Sequence, residues 1–194
     1  YVASHGSGAH INPAVTIAMA CFSGFPLAEV PIYIAGQMAG AMIGQTLVWL
    51  CYLDHYNATE DGPAKLATFS TAPAISNPIS NLVTEVIGTM ALILGVLFIA
   101  GPTSSLGALD ALPVALLVLA IGLSLGGPTG YAINPARDLG PRIMHALLPL
   151  KNKSSSQWGY SWIPVAGPII GAVLAGLIFD LLINLKVDEV VEKL

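Results

Sequence analysis

Hydrophobic and polar positions alternate along this chain in long blocks, not in the short periods of a soluble domain. Four apolar runs, near residues 27–53, 79–100, 109–125 and 162–185, each read as a helix able to cross a bilayer, although the third is short; about 30 Å of hydrocarbon takes roughly 20 helical residues. Between them lie a polar loop over 54–78 rich in Thr, Ala, Pro and Asn, a short turn over 101–108, and a loop at Lys151-Asn152-Lys153-Ser154-Ser155-Ser156-Gln157. A polar tail is expected over 186–194.

Composition strengthens that picture. Of 194 residues 55% are hydrophobic and only 9% charged, with mean hydropathy +0.75, where a soluble domain carries roughly 25% charged residues. The net charge of −4 leaves no basic patch for nucleic acid. Cys21 and Cys51 fall in apolar stretches without metal-ligand spacing and read as small buried hydrophobes. The opening Tyr1-Val2-Ala3 has no starter methionine or basic n-region and reads as the middle of a longer chain. The sequons at Asn57 and Asn152 read as chance matches.

Against this oily background one polar phrase occurs twice. Ser7-Gly8-Ala9-His10-Ile11-Asn12-Pro13-Ala14-Val15 returns as Thr129-Gly130-Tyr131-Ala132-Ile133-Asn134-Pro135-Ala136-Arg137, an offset of 122. A second landmark, Ala35-Gly36-Gln37-Met38-Ala39-Gly40-Ala41, returns as Ala166-Gly167-Pro168-Ile169-Ile170-Gly171-Ala172, an offset of 131. The extra nine residues belong to the loop after the second phrase. Each repeat is thus a polar phrase followed by a span. In the second, two further spans precede the phrase; the offset predicts that two matching spans, about forty residues, precede the first phrase and are not in this chain. Repeats of three spans joined head to tail lie in opposite orientations, the inverted-repeat plan of many transport proteins. The domain plan is a single unit: 1–55 the remainder of the first repeat, 56–78 a connector, 79–185 the second repeat.

Asn is a preferred helix N-cap and Pro is favoured at the first helical position, where its missing N–H would be an orphan anyway. Asn12-Pro13-Ala14 and Asn134-Pro135-Ala136 therefore predict helix starts. The first helix reaches about Phe22; at 1.5 Å per residue that is about 16 Å, half a membrane. Unpaired ends of half-helices are tolerated at that depth only inside protein or against an aqueous cavity. Two such ends meeting near the midplane make it electropositive and repel cations.

With these residues in hand, the chain resembles the aquaporin superfamily, the major intrinsic proteins, through its doubled Asn-Pro-Ala motif over essentially its whole length. The resemblance implies an all-α membrane protein with the aquaporin-like inverted repeat: six transmembrane helices plus two half-helices in the full protein, one pore per subunit, usually a homotetramer, multi-pass in the plasma membrane. It implies that Asn12 and Asn134 are central pore amides, and that carbonyls of Gly8, Ala9, His10, Gly130, Tyr131 and Ala132 form a ladder of acceptors. Arg137, one of two arginines in the chain, would form the selectivity filter with Tyr131 and Gly122. Glu85, a carboxylate in an apolar span, would brace a pore loop rather than relay protons. An intramembrane ionisable group is a functional-site expectation on physical grounds too, and a single file of solutes needs evenly spaced replacements for its lost hydrogen bonds.

Within the family, Asp138 directly after Arg137, Arg142 after Gly140-Pro141, and Pro164-Val165 opening the last span resemble the glycerol facilitators. Gly122 fits as a filter position that leaves width for a carbon backbone; Tyr131 departs from the Phe most common there. The expected function is a passive channel for glycerol and other small neutral solutes, with some water permeability, excluding ions and protons. The alternatives are a water-selective or lactic-acid-type channel of the same family, or a truncated non-conducting relative. His10 reads as a hydrogen-bonded pore-wall histidine: no Cys, Asp or second His stands at metal spacing to it, and no cofactor is expected. An ion-coupled transporter would need an ion site, for which Glu85 and Asp180 are the available acids; an intramembrane enzyme would need a nucleophile and base, and no such motif occurs.

Overall fold

The computed structural model describes residues 1–99 and 105–191, with side chains to residue 185. It is helical throughout these residues: α1 (Ser4–Ser7), α2 (Pro13–Phe22), α3 (Val30–Cys51), α4 (Leu53–Ala58), α5 (Gly62–Ala67), α6 (Pro78–Phe98), α7 (Leu112–Leu125), α8 (Pro135–Leu147) and α9 (Ile163–Val191). Single 3-10 turns, Leu27–Glu29 and Gly107–Ala111, lead into α3 and α7. With them, α3, α6, α7 and α9 supply four helices long and apolar enough to cross a membrane, and α2 is a half-length helix ending at Phe22 as the sequence predicts.

Three sequence expectations change. The 54–78 connector is not all loop, because α4 and α5 occupy part of it; Asp61 caps α5 by accepting from Ala64 N at 2.9 Å, with Pro63 in the first turn. The 186–194 tail continues α9 as helix to Val191. Cys21 and Cys51 are exposed on the chain's surface, not buried. Much of the expected 101–108 turn lies outside the described residues.

The core forms where α2 crosses α6, α7 and α9. Ala14, Val15 and Ala18 pack with Leu92, Ile93, Ile121, Ala172 and Ala175. Small residues allow this approach: a Cβ added at Gly167 would lie 2.6 Å from Glu85 Cβ, and one at Gly171 would meet Val86 and Thr89. The matching glycines of the first repeat behave differently, since Gly36, Gly40 and Gly44 have no atom within 4 Å of an added Cβ, and α3 buries no residue. A second cluster, Tyr56, Phe69, Leu148 and Leu150, joins the 54–78 segment to the loop after α8.

Candidate functional site

The two polar phrases fold the same way, residue for residue. Gly8, Ala9 and Ile11 have φ of 66°, 53° and 42°, and Gly130, Tyr131 and Ile133 have 75°, 42° and 42°. Glycine accepts the left-handed region freely, but a β-branched isoleucine there is a true outlier, costing of order 1–3 kcal/mol. That the same strain recurs at both isoleucines shows that the surroundings impose it. Such a backbone cannot form helix or sheet, so its carbonyls are left free to point sideways.

Asn12 and Asn134 hold the two phrases together. Asn12 Oδ1 caps α2 by accepting from Ala14 N at 2.9 Å, and Asn134 Oδ1 caps α8 by accepting from Ala136 N at 3.0 Å and Arg137 N at 3.2 Å. Their Nδ2 groups cross over: Asn12 donates to Ile133 O at 2.8 Å and Asn134 to Ile11 O at 2.9 Å. The half-helix N-termini are thereby fixed end to end. A carboxamide carries two N–H hydrogens, so each Asn keeps one donor beyond this cross-brace. The motif alone did not reveal that Ile11 and Ile133 are the acceptors, though both recur within the repeat.

Glu85 is 1% exposed and accepts from Ala132 N at 3.0 Å and Ile133 N at 2.8 Å. One buried carboxylate thus satisfies two backbone donors that the strained loop leaves without helical partners. Charge-assisted bonds of this kind are about twice as strong as neutral ones.

Behind α8 lies a second charged brace. Asp138 and Arg142 are fully buried and paired at 2.8 Å one turn apart. Asp138 accepts from Thr71 N at 2.8 Å and from Thr71 Oγ1 at 2.6 Å; Arg142 donates to Thr71 O and Ser156 O, both at 2.7 Å. Every heteroatom of the guanidinium is occupied, which is what makes a buried pair tolerable. Thr71 in turn packs on Gly130, where an added Cβ would lie 3.2 Å from its methyl. Tyr160 covers the guanidinium, its ring 5.7 Å from Arg142 Cζ; burial, then the Glu85 charge, pushes this phenol up to about 12, so it stays neutral. Thr71 and Ser156 carry no sequence signal, being loop residues that meet α8 only through the fold.

Arg137 contrasts with Arg142. It is exposed, its Cζ lies 5.9 Å from the Tyr131 ring, and its guanidinium makes no hydrogen bond to the described residues. It lines a groove of about 620 Å³ along α3, with Ser7, His10, Gln37, Gly40 and Asn134 among the other walls. Gly122 is in contact with Tyr131: an added Cβ would lie 3.0 Å from the ring's Cζ. The tyrosine ring therefore packs directly against Gly122, and a side chain there would press on it. His10 is half-buried, its ring against Phe25 and Tyr33 with centroids 4.7 Å and 5.2 Å away.

Among the described residues, no group of three or more His, Cys, Asp or Glu could hold a metal ion. Asp180 is exposed near the end of α9, far in sequence from the phrases.

Comparison with known proteins agrees across the chain. Residues 1–179 match the family model described as "Major intrinsic protein". A glycerol uptake facilitator protein of Bacillus subtilis is 54% identical over 174 residues, which is 90% of this chain and 63% of that protein. A probable glycerol uptake facilitator of Thermotoga maritima is 53% identical over 180 residues, 93% of this chain and 76% of that protein. The X-ray structure of the aquaglyceroporin from Plasmodium falciparum superposes with TM-score 0.80 at 29% identity, covering 96% of this chain and 78% of that one. The chain thus spans just under two thirds of the Bacillus protein's length.

Proposed function

Since the chain belongs to the major intrinsic protein family, we propose that it is a passive membrane channel for glycerol and other small neutral solutes, with some water permeability and no enzymatic activity. The observation that carries this reading is the cross-brace of Asn12 and Asn134 beside a groove that also exposes Arg137. Each Asn has one amide hydrogen left for a permeating oxygen. The carbonyls of Gly8, Ala9, His10, Gly130, Tyr131 and Ala132 accept the solute's hydrogens in turn, so a hydroxylated solute exchanges its water shell for spaced partners. Arg137 and Tyr131 form the narrow filter with Gly122, the arginine donating to solute oxygens while its charge and the two helix N-termini repel cations. The names of the relatives favour glycerol, and Asp138, tied to Thr71 and Arg142, belongs to the scaffold that sets this filter's shape. The exposed apolar faces of α3 and α7 suit a homotetramer embedded in lipid.

Reconstituted into liposomes and placed in an inward glycerol gradient, the protein should shrink and then re-swell its vesicles faster than empty vesicles do. Re-swelling at the rate of empty vesicles overturns the proposal.

A further inference from the structure

Two of the groove's side chains described so far are donors: the Asn134 amide and the Arg137 guanidinium. A polyol hydroxyl must also give away its hydrogen, and the groove's side chains that can accept it are the Ser7 and Tyr33 hydroxyls, the Gln37 amide oxygen and the His10 ring. Of these, the His10 ring has buried neighbours that decide which of its two nitrogens accepts.

Thr16 Oγ1 is fully buried and has three polar partners: Asn12 O at 3.1 Å, Gln37 Nε2 at 2.9 Å and His10 Nδ1 at 3.2 Å. A hydroxyl brings one hydrogen and two lone pairs. A carbonyl can only accept and an amide nitrogen can only donate, so the hydroxyl hydrogen goes to Asn12 O and one lone pair goes to Gln37. The remaining lone pair faces His10 Nδ1, which must then carry the hydrogen. The opposite tautomer would set the Thr16 and Asn12 oxygens lone pair to lone pair at 3.1 Å. Neutral imidazole holds one hydrogen, so Nε2 is a bare acceptor. It makes no hydrogen bond to the described residues and is not among their enclosed unpaired atoms, and its ring lines the groove with Gln37 and Arg137.

We propose that Thr16 and Gln37 are positioning residues that lock His10 in its Nδ1–H form, so that Nε2 accepts a hydroxyl hydrogen from a polyol while Arg137 donates to the solute elsewhere in the groove. This rests on the reading of the groove as a polyol passage. Thr16 touches no solute; it acts through His10. Nothing else on α3 offers a polar atom to Thr16, and Gln37 is the one position where the first repeat's glycine landmark places a polar residue against the second repeat's Pro168.

The test combines a chemical and a transport readout. Nitrogen-15 spectra of histidine-labelled protein in micelles, with the His10 signal identified by its loss in His10→Gln, should show a single Nδ1–H tautomer in the wild type. Thr16→Val should give mixed tautomers and lower the glycerol-to-water permeability ratio in proteoliposomes about fivefold, the factor one hydrogen bond supplies; Thr16→Ser should restore both. An Nε2–H tautomer in the wild type overturns the proposal, as does a Thr16→Val protein with wild-type tautomer and ratio. If Thr16→Val does not fold, the wild-type spectrum and Gln37→Met, expected to loosen the tautomer, decide the matter. A wild type that moves no glycerol but shows the locked tautomer refutes the transport reading and leaves the lock standing.

Discussion

The first and second polar phrases have the same backbone and, among the described residues, different supports. In both, an Asn caps a half-helix and donates across to the other phrase, and the same three positions adopt positive φ. Behind the second phrase stand buried charges: Glu85 on two loop N–H groups, and Asp138 with Arg142 on Thr71. Behind the first, among the described residues, stands the neutral triad of Thr16, Gln37 and His10. Among the described residues, the ionic brace lies under the phrase that ends in Arg137 and the neutral triad beside the one that ends in Val15. Where Val15 follows the first motif, Arg137 follows the second.

Breaking the ionic side should cost most. Arg142→Met leaves buried Asp138 without its counter-charge and frees two carbonyls, so we expect a loss of about 3–5 kcal/mol, read as a large drop in the thermal unfolding temperature in detergent. Glu85→Ala leaves two buried N–H groups unpaired at about 1–3 kcal/mol each; it should lower stability and abolish glycerol flux together, because Ala132 and Ile133 lose the bond that holds their strained path. If either variant unfolds at the wild-type temperature, the brace does not support the phrase. Thr16→Val on the neutral side should cost less, about 1 kcal/mol, and equal losses on the two sides would erase the contrast. The smallest change sharpens the filter: Gly122→Ala pushes a Cβ to 3.0 Å from Tyr131, so the ring must move by a few tenths of an ångström, and glycerol flux should fall more than water flux in stopped-flow light scattering.

Much of this was legible in the sequence because it was local or repeated. The doubled Asn-Pro-Ala fixed where α2 and α8 start, since capping chemistry is written in adjacent residues, and the four apolar runs match α3, α6, α7 and α9 closely. Glu85 stood out as a carboxylate in an oily span. What escaped was set by distance. Thr71 and Ser156 reach Arg142 across 71 and 14 positions, and no loop composition announces such bonds. The short α4 and α5 hid in a Pro- and Asn-rich stretch, although Asp61 before Gly62-Pro63 was a readable cap. Gly122 was read for the absence of its side chain; that the ring of Tyr131 nine residues on packs against it came only with the fold. The cysteines were assigned to a core because apolar neighbours in sequence suggest burial, whereas in a membrane helix they equally line the surface.

The central claim is that a passage for neutral solutes carries a fixed cation on one of its two matching mouths. It is tested most directly by measuring proton and glycerol flux on the same proteoliposomes, wild type against Arg137→Val, with an internal pH dye and light scattering. The account predicts that the variant keeps glycerol flux and gains proton or cation leakage, about tenfold or more for a lost barrier of about 1.4 kcal/mol. Unchanged proton conductance alongside intact glycerol flux would contradict it.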